Sequence, residues 1–250
     1  MIASLPMYDR PETAAANDRL WALIHHNIGI ASPPMLTRKN NIWDQWLAND
    51  LVISQTCGMP FRTRLHGRVN LVASPTHDLS CAEGHYYSLV IARKSDDRAA
   101  LQDCQSARFA VNDPLSQSGW AAPQSLAASY GFSFDSTIIT GSHLASAQAV
   151  ASGKADVAAL DAVTWSHICR WDDFASDLKE IAQTPATPAL PYITSLGRDP
   201  APIAAALEYA IAELSAQDKA ALCLKGISMI PVEDYLAVPT PAPPVNVGAT

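Results

Sequence analysis

Asn112-Asp113-Pro114-Leu115-Ser116-Gln117-Ser118-Gly119 lies between a short apolar run, Arg108–Asn112, and a stretch with helix-forming character from about Ser118 to Tyr130. A strand that ends in Asx-Pro and restarts as a helix at a serine is the joint of a β-to-α connection. Ser116 and Ser118 supply hydroxyls there, Gly119 lets a ligand approach the backbone, and the first helical turn leaves N–H groups unpaired, so the joint favours an anion. The competing reading is an ordinary serine N-cap.

The same rhythm extends in both directions. Upstream, the pattern predicts strands at Met1–Tyr8, Leu51–Gln55, Val69–Ser74 and Tyr86–Arg93, with a helix from about Thr13 to Ile30. Ser95-Asp96-Asp97 predicts the start of a helix through Asp103. Downstream come a strand at Ser136–Thr140, a helix over Ser142–Ala151 closed by Gly153, a strand at Asp156–Leu160 and a helix from about Ala162 to Arg170. Thr184-Pro185-Ala186-Thr187-Pro188-Ala189-Leu190-Pro191 reads as an extended crossover, because each proline disfavours helix in the residue before it. Beyond it the pattern predicts a strand at Tyr192–Ser195, a helix over Ala201–Leu214 and a short helix near Gln217–Leu224.

Alternating strands and helices give an α/β fold with mostly parallel sheets, here in two lobes. The expected division is residues 1–92 with 188–237 as lobe 1 and 93–187 as lobe 2. The Pro-rich, nearly chargeless tail 238–250 is expected to be disordered or laid along the surface. A cleft between lobes is the expected ligand site.

Composition narrows the function. With 250 residues, 48% of them hydrophobic, the chain can build two cores, and its formal net charge of −7 from 17 basic and 24 acidic residues leaves no footprint for nucleic acid. No apolar run approaches the roughly 18 residues a membrane span needs. Five cysteines without a CxxC pair argue against a zinc site or disulfide framework, so no metal and no cofactor are expected. Cys57 in Ser54-Gln55-Thr56-Cys57-Gly58 has no recognised spacing to His66, His77 or His85, and reads as a structural thiol. The residues from Met1 onward show no signal-peptide pattern.

Two further joints accompany the first. Thr140-Gly141-Ser142-His143 opens a helix at the carboxyl edge of the sheet, where Ser142 and His143 would share the ligand side with Ser116–Gly119. His143 would donate to an anion that in turn raises its pKa; a capping or surface histidine is the alternative. In Leu160-Asp161-Ala162-Val163-Thr164-Trp165, Asp161 would receive a ligand ammonium beside a Trp165 wall, or serve only as an N-cap. Tyr8, and Tyr86 or Tyr87 ahead of the crossover strand, would supply phenolic donors from the opposite lobe.

These segments together resemble the phosphonate/phosphite/phosphate-type periplasmic binding proteins of ABC transporters. The resemblance covers roughly Ile2 to Ser195 and rests on Tyr8, Ser-Gln-Thr-Cys-Gly at 54–58, Asn-Asp-Pro-x-Ser-x-Ser-Gly at 112–119, Thr-Gly-Ser-His at 140–143 and Ala-Asp-Val-Ala-Ala-Leu-Asp at 155–161. It implies a type II periplasmic-binding-protein (venus-flytrap) fold, with two Rossmann-like lobes on a two-stranded hinge. By the same resemblance Ser116, Ser118, His143, Tyr8 and Tyr86 hold the anionic head, and Asp161 contacts the other end of the ligand. Gln55, Thr56, Gln117, Gly119, Ser142 and Trp165 complete the expected ligand-binding set. Gln117 stands where many members carry Ser or Thr. The implied role is capture of a small anion, with an ABC permease and ATPase as partners and no catalysis. Periplasmic placement follows from the resemblance, and cytoplasmic placement is the alternative without an export signal. The other functional readings are a cytoplasmic sensor of the same ligands and an enzyme of the thiamine-pyrimidine synthase type; only the scattered Lys94, Lys154 and Lys179 and no Cys-rich run speak for the latter.

Overall fold

The computed structural model describes residues 1–39 and 41–244. Its strands are β1 (Ile2–Ala3), β2 (Leu51–Gln55), β3 (Val69–His77), β4 (His85–Tyr86), β5 (Ser88–Arg93), β6 (Phe109–Val111), β7 (Thr137–Ile139), β8 (Val157–Asp161), β9 (Leu178–Gln183), β10 (Thr187–Pro188), β11 (Tyr192–Ser195) and β12 (Leu224–Ser228). The helices are α1 (Pro11–Asn27), α2 (Ile42–Trp46), the single turn α3 (Gly58–Pro60), α4 (Ala122–Ser129), α5 (His143–Ala151), α6 (Ala162–Trp171), α7 (Ala201–Glu213), α8 (Ala216–Leu222) and α9 (Val232–Leu236). The chain forms two compact units, Met1–His85 with Pro188–Ala237 and Tyr86–Thr187 with Val238–Thr250.

In the first unit the sheet order is β1-β2-β11-β3-β12. β1 and β2 run parallel, while β11 is antiparallel to β2 and β3, and β12 is antiparallel to β3. Helix α1 begins where Pro11 takes the first helical position and the Arg10 N–H donates to Thr13 Oγ1 at 3.0 Å. Ala16, Leu20 and Ile24, four residues apart, form with Trp21 one apolar stripe, which packs with α7 residues Ile203 and Leu207 on Val52, Ile53 and Val72. Each such buried aliphatic side chain contributes about 1.5–3 kcal/mol. A second cluster, including Trp46, Leu51, Phe61, Ile193 and Tyr235, completes this unit.

In the second unit the order is β7-β6-β8-β5-β9. β7, β6 and β8 run parallel, and β5 is antiparallel to both of its neighbours. Successive residues of the central strands feed opposite faces: Val90, Phe109, Val111 and Val157 join Trp120 and Phe134, whereas Ile91, Ala110, Ala158 and Leu160 join Trp165 and Ile168. Both faces are covered, which is why these strands read as unbroken apolar runs.

Several expectations are corrected. The sheets are mixed rather than mostly parallel. β5 and β11 each enter a sheet after the chain has passed between units, so no right-handed βαβ crossover dictates their direction, and both run antiparallel. The first passage falls between His85 and Tyr86 rather than after Ala92, because the whole of β5 is paired on both sides within the second unit. Tyr86 therefore lies in the unit that also holds Ser116, not opposite it. The second passage falls between Thr187 and Pro188, and β4 pairs with β10 at the two passages. The first strand stops at Ala3, ahead of a 3-10 turn over Pro6–Tyr8. The helix expected through Asp103 is only a 3-10 turn over Leu101–Cys104. The sequence reading lacked β9, β12, α2 and α9.

The tail is expected from its composition to be disordered or laid along the surface. The described residues 238–244 group with the second unit, and the Trp120 indole N–H donates to the Ala242 carbonyl at 2.9 Å. Residues 245–250 of the expected disordered segment lie outside the described residues.

Candidate functional site

β6 delivers the chain to Asn112 at its carboxyl end, and the turn that follows is tied by its own side chain: the Leu115 N–H donates to Asp113 Oδ1 at 2.7 Å. Ser116 has extended backbone angles and caps the next turn, its Oγ accepting the Gly119 N–H at 2.9 Å. With its acceptor role used, the Ser116 hydroxyl proton remains available for donation. Residues Gln117–Ala121 make one π-helical turn, in which the Ala121 N–H reaches the Ser116 carbonyl at 3.0 Å, before α4 continues with α-helical geometry. Such widened turns recur at functional sites because they re-aim the residues they contain.

The second joint lies beside the first. After β7, Gly141 has a φ of 91°, a left-handed conformation that glycine adopts without a Cβ clash. Ser142 then caps α5 by accepting the Ala145 N–H at 3.1 Å, and is itself exposed. Thr140 donates to the Val111 carbonyl at 3.1 Å, binding this joint to the end of β6. His143 follows, with Nε2 at 2.9 Å from Ser118 Oγ, and Ser118 Oγ lies 3.5 Å from Ser116 Oγ. Ser116, Gln117 and Ser118 are almost wholly buried.

His143 as a whole keeps some exposure, but its Nδ1 is enclosed and makes no hydrogen bond of ordinary geometry. Burial pushes the imidazole down to about 4, with the nearby Ala159 carbonyl opposing. The enclosed nitrogen outweighs the partly exposed ring, because the charge would sit on the nitrogens. At neutral pH the cluster Ser116–Ser118–His143 carries no formal charge, and it offers hydroxyl and backbone donors to whatever it binds.

Gly119 is held from beneath. A Cβ at this position would lie 1.8 Å from Asn112 Oδ1 and 3.2 Å from His143 Cε1. A side chain here would have to displace the Asn112 carboxamide, whereas the dihedral angles of residue 119 make no demand for glycine. The Asn112 Oδ1 is enclosed and without a hydrogen-bond partner among the described residues.

The remaining expected residues of the second unit are Asp161, Trp165 and Tyr86. Asp161 is 2% exposed and its Oδ1 accepts the N–H groups of Val163 and Thr164 at 2.8 and 3.0 Å, which caps α6. Trp165 is packed in the core with Ile91 and Leu160, and its indole N–H donates to Glu180 Oε1 at 2.6 Å, so it forms no exposed wall. Tyr86 is buried.

In the first unit, Tyr8 sits in the 3-10 turn with its ring edge-on to His77, the centroids 5.2 Å apart. Tyr8, Asn17, Gln55, His77 and Tyr192 border a cavity of about 20 Å³, room for one water and no more. Gln55 Nε2 donates to the Leu190 carbonyl at 3.1 Å, and the Thr56 N–H donates to that of Pro191 at 3.0 Å. A larger cavity of about 210 Å³ in this unit is lined by Asp9, Thr37, Arg38 and Gln45 with apolar neighbours. Arg38 is bound to Asp9 and Asp18, each at 2.7 Å, so its charge is already compensated. Sequence reading missed this cavity, since only the fold brings residues 9 and 38 together. None of the five cysteines is in a disulfide. Among the described residues no group of three His, Cys, Asp or Glu side chains is arranged to hold a metal ion.

Residues 3–234 match the family described as ABC transporter, phosphonate, periplasmic substrate-binding protein. Among solved structures, the chain is similar to a binding-protein component of an ABC phosphonate transporter from Pseudomonas aeruginosa, at 18% identity and a TM-score of 0.69, over 93% of this chain and 82% of that one. It is also similar to PhnD1 from Prochlorococcus marinus in complex with methylphosphonate, at 16% identity and a TM-score of 0.72, over 93% of each chain. A histidine kinase sensor domain with similarity to periplasmic binding proteins shares the fold at 17% identity and a TM-score of 0.60, over 92% of this chain and 98% of that one. No curated protein sequence matches the chain. Among the described residues, no helix is long and apolar enough to cross a membrane.

Proposed function

Because the chain belongs to the phosphonate family of ABC-transporter periplasmic substrate-binding proteins, we propose that it captures a small phosphonate- or phosphate-like oxyanion on the Ser116–Gly119 turn for uptake by a membrane permease and its ATPase. The observation that carries this reading is the Ser116–Ser118–His143 cluster, with Ser118 Oγ at 2.9 Å from His143 Nε2 at a helix start. Ser116 and Ser118 donate hydroxyl protons to the oxyanion, the backbone N–H groups of the turn add the partial positive charge of a helix start, and the neutral His143, whose Nε2 lies 2.9 Å from Ser118 Oγ, orients that hydroxyl. Tyr8, Gln55 and Thr56 are assigned to the ligand by resemblance alone. Periplasmic residence is proposed on the same ground. Binding without turnover is the reading that the family supports, since it is a substrate-binding one.

Isothermal titration against methylphosphonate, aminoethylphosphonate, phosphate, phosphite and sulfate tests the proposal. Wild type is expected to bind at least one of the phosphorus oxyanions, and Ser116→Ala with Ser118→Ala to weaken that binding by about 100-fold or more, since hydrogen bonds to charged groups contribute roughly 1.5–3 kcal/mol each. A wild type that binds none of them, or a double variant that binds as well as wild type, would reject the assignment.

A further inference from the structure

Asn112 sits at the carboxyl end of β6 and immediately precedes the Asp113–Leu115 turn, so the backbone places it at the rim of the proposed anion site. Its carboxamide makes no hydrogen bond among the described residues, and its Oδ1 is enclosed. An enclosed amide oxygen without a partner is unusual, because buried polar groups are nearly always satisfied. Nothing in the packing of the second unit needs an amide there: Oδ1 rests where a Cβ of residue 119 would be, 1.8 Å from that point, with Cγ at 2.8 Å. An alanine or a larger aliphatic residue paired with a different residue at 119 would fill the same volume without a polar penalty.

The orientation of the amide follows from what it touches. A carbonyl oxygen facing the Cα–H of Gly119 makes a weak favourable contact, whereas an NH2 group in that place would not. Oδ1 is also the one enclosed, unpartnered atom of the carboxamide. The Nδ2 group therefore turns away from Gly119, with two N–H donors uncommitted among the described residues, in a carboxamide packed against Gly119 of the turn, where His143 Cε1 also approaches.

We infer that Asn112 is a direct ligand of the oxyanion, donating from Nδ2 while its Oδ1 is braced against Gly119. The inference rests on the anion site proposed above and adds a donor that the sequence motif did not assign. It also accounts for the pairing of Asn112 with a glycine at 119: the brace fixes the carboxamide plane, so the donor is oriented before the ligand arrives. Asn112 is neutral, so it holds an anion by geometry instead of net charge, in keeping with the uncharged cluster around it.

The test compares wild type, Asn112→Ala and Asn112→Asp by titration with methylphosphonate and inorganic phosphate at pH 7.5, alongside urea unfolding of each ligand-free protein. Asn112→Ala is expected to bind about 5- to 30-fold more weakly with ligand-free stability unchanged or higher, because the deleted amide had no partner. Asn112→Asp, nearly the same shape, is expected to lose about 100-fold or more through like-charge repulsion. In wild type, the Asn112 side-chain NH2 resonances, identified by their absence from the alanine variant, should shift on adding methylphosphonate. Wild-type affinity in Asn112→Ala, or a loss that only tracks lowered ligand-free stability, overturns the inference while leaving the anion site intact if Ser116→Ala with Ser118→Ala still abolishes binding. Wild type that binds none of methylphosphonate, aminoethylphosphonate, phosphate and phosphite overturns both; if it binds only one of the other two, the same comparison is made with that ligand.

Discussion

His143 has one ring nitrogen on Ser118 and the other enclosed, and this arrangement makes its protonation costly. Its value is held near 4, against 6.5 for an ordinary histidine. The unfolded chain thus binds a proton over a pH range in which the folded chain does not, and the linkage sign follows: stability is full above about pH 6.5 and falls as pH drops towards 4. The unshielded limit of that loss is about 3 kcal/mol, and partial exposure of the ring brings it lower. Urea unfolding of wild type and His143→Gln between pH 4 and 7 should show a slope in this window for wild type that is smaller in the variant; equal slopes would mean that His143 is not the titrating group. A second expectation concerns Gly119. Gly119→Ala should cost about 1–3 kcal/mol from the clash with Asn112 Oδ1, and Asn112→Gly in the same chain should recover most of it. If the double variant is no more stable in urea than Gly119→Ala, the strain lies elsewhere.

At the scale of elements, the ends of α4, α5 and α6 are governed by the residues in front of them. Ser116, Ser142 and Asp161 each accept backbone N–H groups from the following turn, and all three could be read as caps from sequence because Ser and Asp before an apolar run are the common cap signal. Capping and ligand binding make different demands on Asp161. Asp161→Ala is expected to lower stability by about 1–2 kcal/mol, while Asp161→Asn, which can still accept from Val163 and Thr164, should lose far less. Titration with aminoethylphosphonate and methylphosphonate then decides whether the carboxylate also recognises an amine: equal affinity ratios in wild type and Asp161→Asn limit it to capping. The π turn over 117–121 was not legible in this way. A π turn differs from an α turn by a single shifted hydrogen bond, and no residue pattern in Gln-Ser-Gly-Trp-Ala distinguishes the two.

For the whole molecule, the chain returns after α9 to the second unit, where Ala242 accepts from the buried Trp120 indole. Ending the chain at Ala237 should leave that N–H enclosed and without its partner, at a cost of about 1–3 kcal/mol. Hydrogen exchange read by mass spectrometry should register faster exchange in peptides of the second unit around residues 117–129 and none in α1 or α7; uniform change, or no change, would contradict a local role for the tail.

The sequence by itself determined the local order: apolar runs short enough for strands, glycine and proline punctuation, and the cap residues that set three helix starts one after another at strand ends. These signals act over a few residues and survive without a partner. Only the tertiary structure decided strand direction in β5 and β11, the passage at His85 rather than near Ala92, the packing of Trp165 into the core, and the meeting of Ser118 with His143 and of Asn112 with Gly119. Such facts depend on which surfaces a segment buries against residues far away in the chain, and side-chain type at a single position does not encode its distant neighbour. Asp161 shows the boundary between the two: its chemistry and position were plain in the sequence, but the bonds its oxygen makes became visible only once α6 was folded onto β8.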